Sequence, residues 1–117
     1  MKEQFVTHEI AKKLIKNLGF NENCLGAYEE TEQGLWFHCG GAYPITATKA
    51  PLWQQAIDFI RIKFNISIEP SVWVNTTTWV VRNTQTNETL YNTNDSDYYK
   101  ARLKAVTKAI ELIKLKK

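Results

Sequence analysis

The chain has 117 residues, 44% hydrophobic and 12% aromatic, with 23% charged residues and a formal net charge of +3. That length suits one domain over 1–117, able to bury roughly two-thirds of its unfolded surface, and five Gly with three Pro exclude a collagen-like or linker-like chain. No apolar run approaches the ~18 residues of a membrane span.

The N-terminal stretch M-K-E-Q-F-V-T-H-E-I-A-K-K-L interleaves charges with apolar residues and lacks the continuous apolar segment of a signal peptide. The expected compartment is therefore the cytoplasm, where Cys24 and Cys39 stay reduced. The first helix is expected from Thr7 to Leu18, with Val6, Ile10, Leu14 and Leu18 as its apolar stripe and Ala11 and Ile15 widening it. Thr7 supplies the cap and Gly19 the left-handed residue that ends it.

Cys24–Glu30 and Leu35–Cys39 read as two strands of a hairpin around T-E-Q-G, with Gly34 at positive φ. Gly40, Gly41 and Pro44 make 40–50 a loop. Pro51 then opens a second helix, with Trp53, Ala56, Ile57, Ile60 and Phe64 on its apolar side, broadened by Leu52 and Phe59.

From Ile66 to about Tyr91 the pattern is β. Ile66 and Ile68 alternate with polar residues, and Ser71–Val74 and Thr78–Arg82 flank an N-T-T turn. Pro70 marks a bulge or a sheet edge. A last short strand lies around Thr89–Tyr91. The closing helix is capped by Asp95 or Ser96 and carries the stripe Tyr99, Leu103, Val106, Ile110, Ile113, with Lys100, Lys104 and Lys108 on the adjacent row. The expected fold is α+β: a two-layer domain of order α-β-β-α-β-β-β-α, mainly antiparallel, with helices packed on sheet.

No catalytic constellation emerges. His38 and Cys39 are neighbours on a strand and point to opposite faces. Cys24 could meet either across the hairpin, but as a buried thiol beside a surface imidazole it needs no chemical role. A zinc site would require His8, Cys24, His38 and Cys39 together, without the usual short ligand clip. Glu29, Glu30 and Glu32 sit at a hairpin tip, the opposite of the apolar pocket that raises a catalytic acid's pKa. No phosphate-cradling loop is present, so neither an enzyme nor a cofactor is expected.

Two surfaces stand out instead. Trp73 and Trp79 flank the N-T-T turn, and V72-W73-V74 places apolar groups on both sheet faces. One face meets the helices and the other calls for cover by a loop, a protein partner or a second copy. These tryptophans are the candidate protein-contact surface, with the core as their alternative place. The second surface is electrostatic. Residues 1–94 hold eight Lys/Arg against nine Asp/Glu, whereas 95–117 hold seven against three. Lys100, Lys104 and Lys108 are thus candidates for contact with an anion or nucleic acid, although lysines near a helix C-terminus also serve its dipole.

Residues 51–117, read α-β-β-β-α with a basic last helix, resemble the element order of the double-stranded RNA-binding domain. That family opens its last helix with a lysine cluster, and this chain opens it D-Y-Y-K-A-R. A second resemblance rests on F-V-T-H-E-I-A-K-K-L-I-K-N-L-G-F-N-E-N-C (5–24), A-P-L-W-Q-Q-A-I-D-F-I-R-I-K-F-N-I (50–66) and Y-Y-K-A-R-L-K-A-V-T-K-A-I-E-L-I (98–113). These segments are similar to small proteins abundant in phage and mobile-element sequences of gut bacteria, a family with no assigned activity. The resemblance covers about half the chain and implies a cytoplasmic, phage-related accessory protein, with no site residues carried over. The expected function is a non-enzymatic binding or assembly module working by protein contacts or self-association, with no membrane partner. Nucleic-acid binding through the last helix is the alternative.

Overall fold

The computed structural model describes residues 2–73, 76–93, 95 and 97–115, apart from the side chains at 2, 72, 73, 76 and 77. The fold is α+β, in the expected order with one short strand added. Helix α1 (His8–Leu18) leads to strands β1 (Gly26–Thr31), β2 (Gly34–Cys39) and β3 (Thr48–Ala50). Helix α2 (Trp53–Phe64) precedes β4 (Ile66–Trp73), β5 (Thr76–Asn83) and β6 (Thr89–Asn92), and α3 (Tyr98–Leu115) closes the chain. The strands form two antiparallel sheets, ordered β2-β1-β3 and β4-β5-β6. Two compact units result, Met1–Ala56 and Ile57–Lys117, with the boundary inside α2. No helix among the described residues is long and apolar enough to cross a membrane.

In the first unit, α1 begins where Thr7 accepts a hydrogen bond from the Ile10 N–H and ends at Gly19, whose φ of 72° is left-handed. Val6, Ile10, Ala11, Leu14 and Leu18 are buried; Ile15, at the stripe's margin, is part-exposed. The β1–β2 hairpin runs in register from Gly26↔Cys39 to Thr31↔Gly34, and Gly34 takes the expected positive φ. The added strand β3 pairs with β1 through Gly26↔Ala50 and Tyr28↔Thr48. Tyr28 is buried and donates its hydroxyl to the Val6 carbonyl at 2.8 Å, which pins the sheet to the start of α1. The Phe5 ring lies so close to Gly26 that a Cβ there would meet it at 2.7 Å.

The second unit is a sheet with α3 laid over it. Cross-strand partners share a face, so Ile68↔Val81 and Pro70↔Trp79 place these four on one side. Trp79 packs edge-on against Tyr98 of α3, with ring centroids 5.3 Å apart, so this is the face that α3 covers. The opposite face carries Glu69, Ser71, Thr78, Val80 and Arg82.

Helix α3 differs from expectation in two respects. Its cap is Asp97, whose Oδ1 accepts the N–H groups of Tyr99 at 2.9 Å and Lys100 at 3.2 Å. Asp95 stands before it, accepting the Asp97 N–H, and Ser96 lies outside the described residues. The buried stripe is Ala101, Ala105, Val106, Ala109, Ile110 and Ile113, while Tyr99 and Leu103 are exposed. Three alanines at four-residue spacing let the helix backbone approach the sheet closely. The larger Tyr99 and Leu103 are displaced to the flank.

Candidate functional site

The two candidate tryptophans part company. Trp79 is 3% exposed, held in the core between β5 and Tyr98. Its ring is therefore no contact surface; burying an indole against a helix is the larger gain in apolar area. Trp73 ends β4 opposite Thr76, and its side chain lies outside the described residues, as do residues 74–75.

Among the described side chains the exposed tryptophan is Trp36, in the first unit. Among the described residues β2 is an edge strand, paired only with β1, and reads G-L-W-F-H-C without a charged residue or a proline. Leu35 and Trp36 are 48% and 54% exposed, and strand alternation sends them to opposite faces. Trp36 is nevertheless fixed. Its indole Nε1 donates to the Thr31 hydroxyl at 3.0 Å, and that hydroxyl donates to the Gly34 carbonyl at 2.9 Å. Phe37 turns inward, with its ring 5.1 Å from Phe5 and 5.0 Å from Tyr28. Leu25 is also exposed and adjoins the end of β2, because the Gly40 and Gly41 N–H groups both reach its carbonyl at 2.9 Å.

Several titratable groups nearby lie close to one another. His38 Nε2 lies 2.9 Å from Glu29 Oε1, a diagonal pair across the hairpin. His8 and Lys12 of α1 reach Glu30 at 3.5 and 3.2 Å. Cys24 precedes β1 and its thiol donates to the Glu22 carbonyl at 3.5 Å. Burial pushes that thiol up to about 11, with Glu22 adding to the rise and Lys49 opposing it. It is consequently a poor nucleophile at neutral pH. No three His, Cys, Asp or Glu side chains converge as a metal site among the described residues.

On α3, Lys100 and Lys104 are exposed and Lys108 is half-buried. Lys104 donates to Asp95 at 2.8 Å, and Lys108 lies 5.7 Å from the centre of the Tyr91 ring on β6. The Lys104 ammonium, chiefly by that hydrogen bond, holds the Asp95 carboxyl below its usual value, helped by the Asp97 N–H. Asp95 reciprocally raises Lys104. Tyr91, Leu103, Lys104, Thr107, Lys108 and Glu111 line a shallow groove of about 480 Å³. The lysine row is therefore partly neutralised by Asp95 and interrupted by Glu111.

Sequence reasoning missed Trp36, although the signal was present. L35-W36-F37 is apolar at three successive positions, the same two-faced pattern recognised at V72-W73-V74. The His38–Glu29 pair was legible only once the register was known. No family model, curated protein or solved structure matches the chain.

Proposed function

We propose that the protein is a non-enzymatic binding module that acts through protein–protein contacts at the β2 edge, taking an extended segment as an added strand. The observation that carries this reading is a six-residue, uncharged, proline-free edge strand with a large apolar side chain exposed on each face. Sheet edges are ordinarily blunted by charge, proline or cover, because their unpaired N–H and C=O groups recruit other strands. Strand addition draws affinity from main-chain hydrogen bonds and specificity from alternate side chains, and Trp36 and Leu35 are placed to supply the latter. The resemblance carried by the three helices adds an accessory role in a phage or mobile element to this reading.

A random peptide library selected on the immobilised protein tests it. Recovered peptides should bind the wild type and lose about tenfold or more in affinity on Trp36→Lys. Failure to recover any, or binding indifferent to the substitution, would overturn the reading.

A second reading, nucleic-acid binding, draws on the exposed Lys100 and Lys104 and on the 57–117 unit, which carries ten Lys/Arg against six Asp/Glu. Phosphate contact would make affinity for duplex RNA or DNA fall steeply with salt. Absence of binding at low salt removes it.

A further inference from the structure

We infer that the strand received by β2 is the β2 of a second copy, giving a two-fold dimer with a continuous six-stranded sheet. This rests on the reading of β2 as a strand-accepting edge. It goes further by naming the occupant.

The argument begins with symmetry. Two antiparallel strands related by a two-fold axis must be related by one perpendicular to the sheet, and each residue then faces a residue of the same face. A strand that pairs with itself in this way brings a charge at or beside the axis against its own copy, and like charges directly opposite are destabilising. β2 avoids the difficulty, since Gly34–Cys39 holds no Lys, Arg, Asp or Glu. Its one titratable ring, His38, already has Glu29 beside it at 2.9 Å.

The other sheet edges are charged or shorter. β4 carries exposed Glu69 and Pro70 on its length. β3 and β6 have only three and four residues.

Side-chain complementarity places the axis. With the axis at Trp36, each Trp36 adjoins its copy on one face, and Leu35 adjoins the Phe37 of the other chain on the opposite face. Gly34 stands opposite His38 of the other chain. The two exposed large apolar side chains of the strand, Trp36 and Leu35, are then both covered. Trp36 also meets its partner in a conformation already set by the Thr31 hydroxyl, so little side-chain freedom is lost. A single strand edge covers less than the ~1,200 Å² of a typical stable complex, so the dimer belongs to the micromolar range.

Sedimentation velocity of the full chain across micromolar concentrations tests the proposal. The wild type should shift from monomer to dimer with concentration, and Trp36→Lys and Trp36→Glu should each stay monomeric. Mixing the two variants should restore a dimer, because residue 36 meets residue 36 only under this symmetry. The restored dimer also shows that neither variant failed by misfolding.

A wild type that stays monomeric throughout, or a dimer that survives both substitutions, overturns the second copy as occupant. So does a mixture that remains monomeric. Peptides that bind the wild type but not Trp36→Lys would in any of these cases leave the strand-accepting edge standing. Loss of both results would remove the two readings together.

Discussion

The two sheets treat their outer edges in opposite ways. β4 carries Glu69 and Pro70, both exposed, where a foreign strand would have to pair. A charge resists burial there and a proline withholds a ladder N–H, so the edge is closed to addition. β2 has neither device and exposes Leu35 and Trp36. The tryptophans follow the same division: Trp79 is buried under α3, and Trp36 stands open. One sheet buries its aromatic surface under its own helix, and the other leaves part of it exposed. An aromatic count by itself distinguishes neither case.

Substitutions can break or sharpen this contrast. The largest effect is expected for Trp79→Ala, which empties a buried site between β5 and α3 and should lower unfolding stability by about 3–5 kcal/mol in a urea titration. A loss comparable to that of a surface residue would mean that Trp79 is not core. Gly26→Ala comes next. Its Cβ would press on the Phe5 ring at 2.7 Å and on Phe37 at 3.0 Å, at a cost of about 1–3 kcal/mol by the same titration. Because Phe37 lies on β2, this variant also tests whether the hairpin is packed as rigidly on its inner face as it is open on its outer one.

Trp36→Ala should cost about 1 kcal/mol or less under the same conditions, since it removes an exposed ring and one exposed hydrogen bond. A destabilisation approaching that of Trp79→Ala would erase the contrast between the two tryptophans. The smallest effect is expected at the Asp95–Lys104 pair. Asp95 titrates below its ordinary value of 3.8 in the folded chain, so it contributes stability above that pH and loses it as pH falls through its lowered value. Lys104, raised from 10.5, contributes below that value and loses it as pH rises through its raised one. Lys104→Met should therefore flatten the acid limb of a Tm-against-pH curve, while leaving Tm at neutral pH close to the wild type, as exposed pairs do.

The helices were legible for a local reason. A stripe such as Val6, Ile10, Leu14, Leu18 recurs at the helical period, and Thr7 and Gly19 mark its ends through their own backbone chemistry. Alternation at Ile66 and Ile68 also marked β4, β-favouring residues marked β5, and of the bulge or edge that Pro70 announced the sheet order shows the edge. Three features were harder to read. β3 is three residues long and exists because β1 offers it a ladder, which no local pattern records. The cap of α3 is Asp97, which directly precedes the first helical residue, while Asp95 is engaged with the Asp97 N–H and with Lys104. The buried stripe of α3 runs through alanines, which hydropathy weights lightly but close helix–sheet packing favours.

The candidate site shows the same limit. A strand with one polar face declares which side is inward. L35-W36-F37 and W79-V80-V81 are apolar on both sides, so their sequences name the residues that need cover without saying which receive it.

The sequence by itself determined the α+β class, the order of its main elements, the ends of α1, and the gathering of positive charge toward the C-terminus. Each depends on neighbours within one or two turns of chain, where propensity and period act. Only the tertiary structure decided that Trp79 is core, that Trp36 is surface and that β2 is an edge. Those outcomes depend on which strand pairs with which and where a distant helix lies. Burial is a property of the assembled neighbours, and the same indole is core or contact surface according to what packs against it.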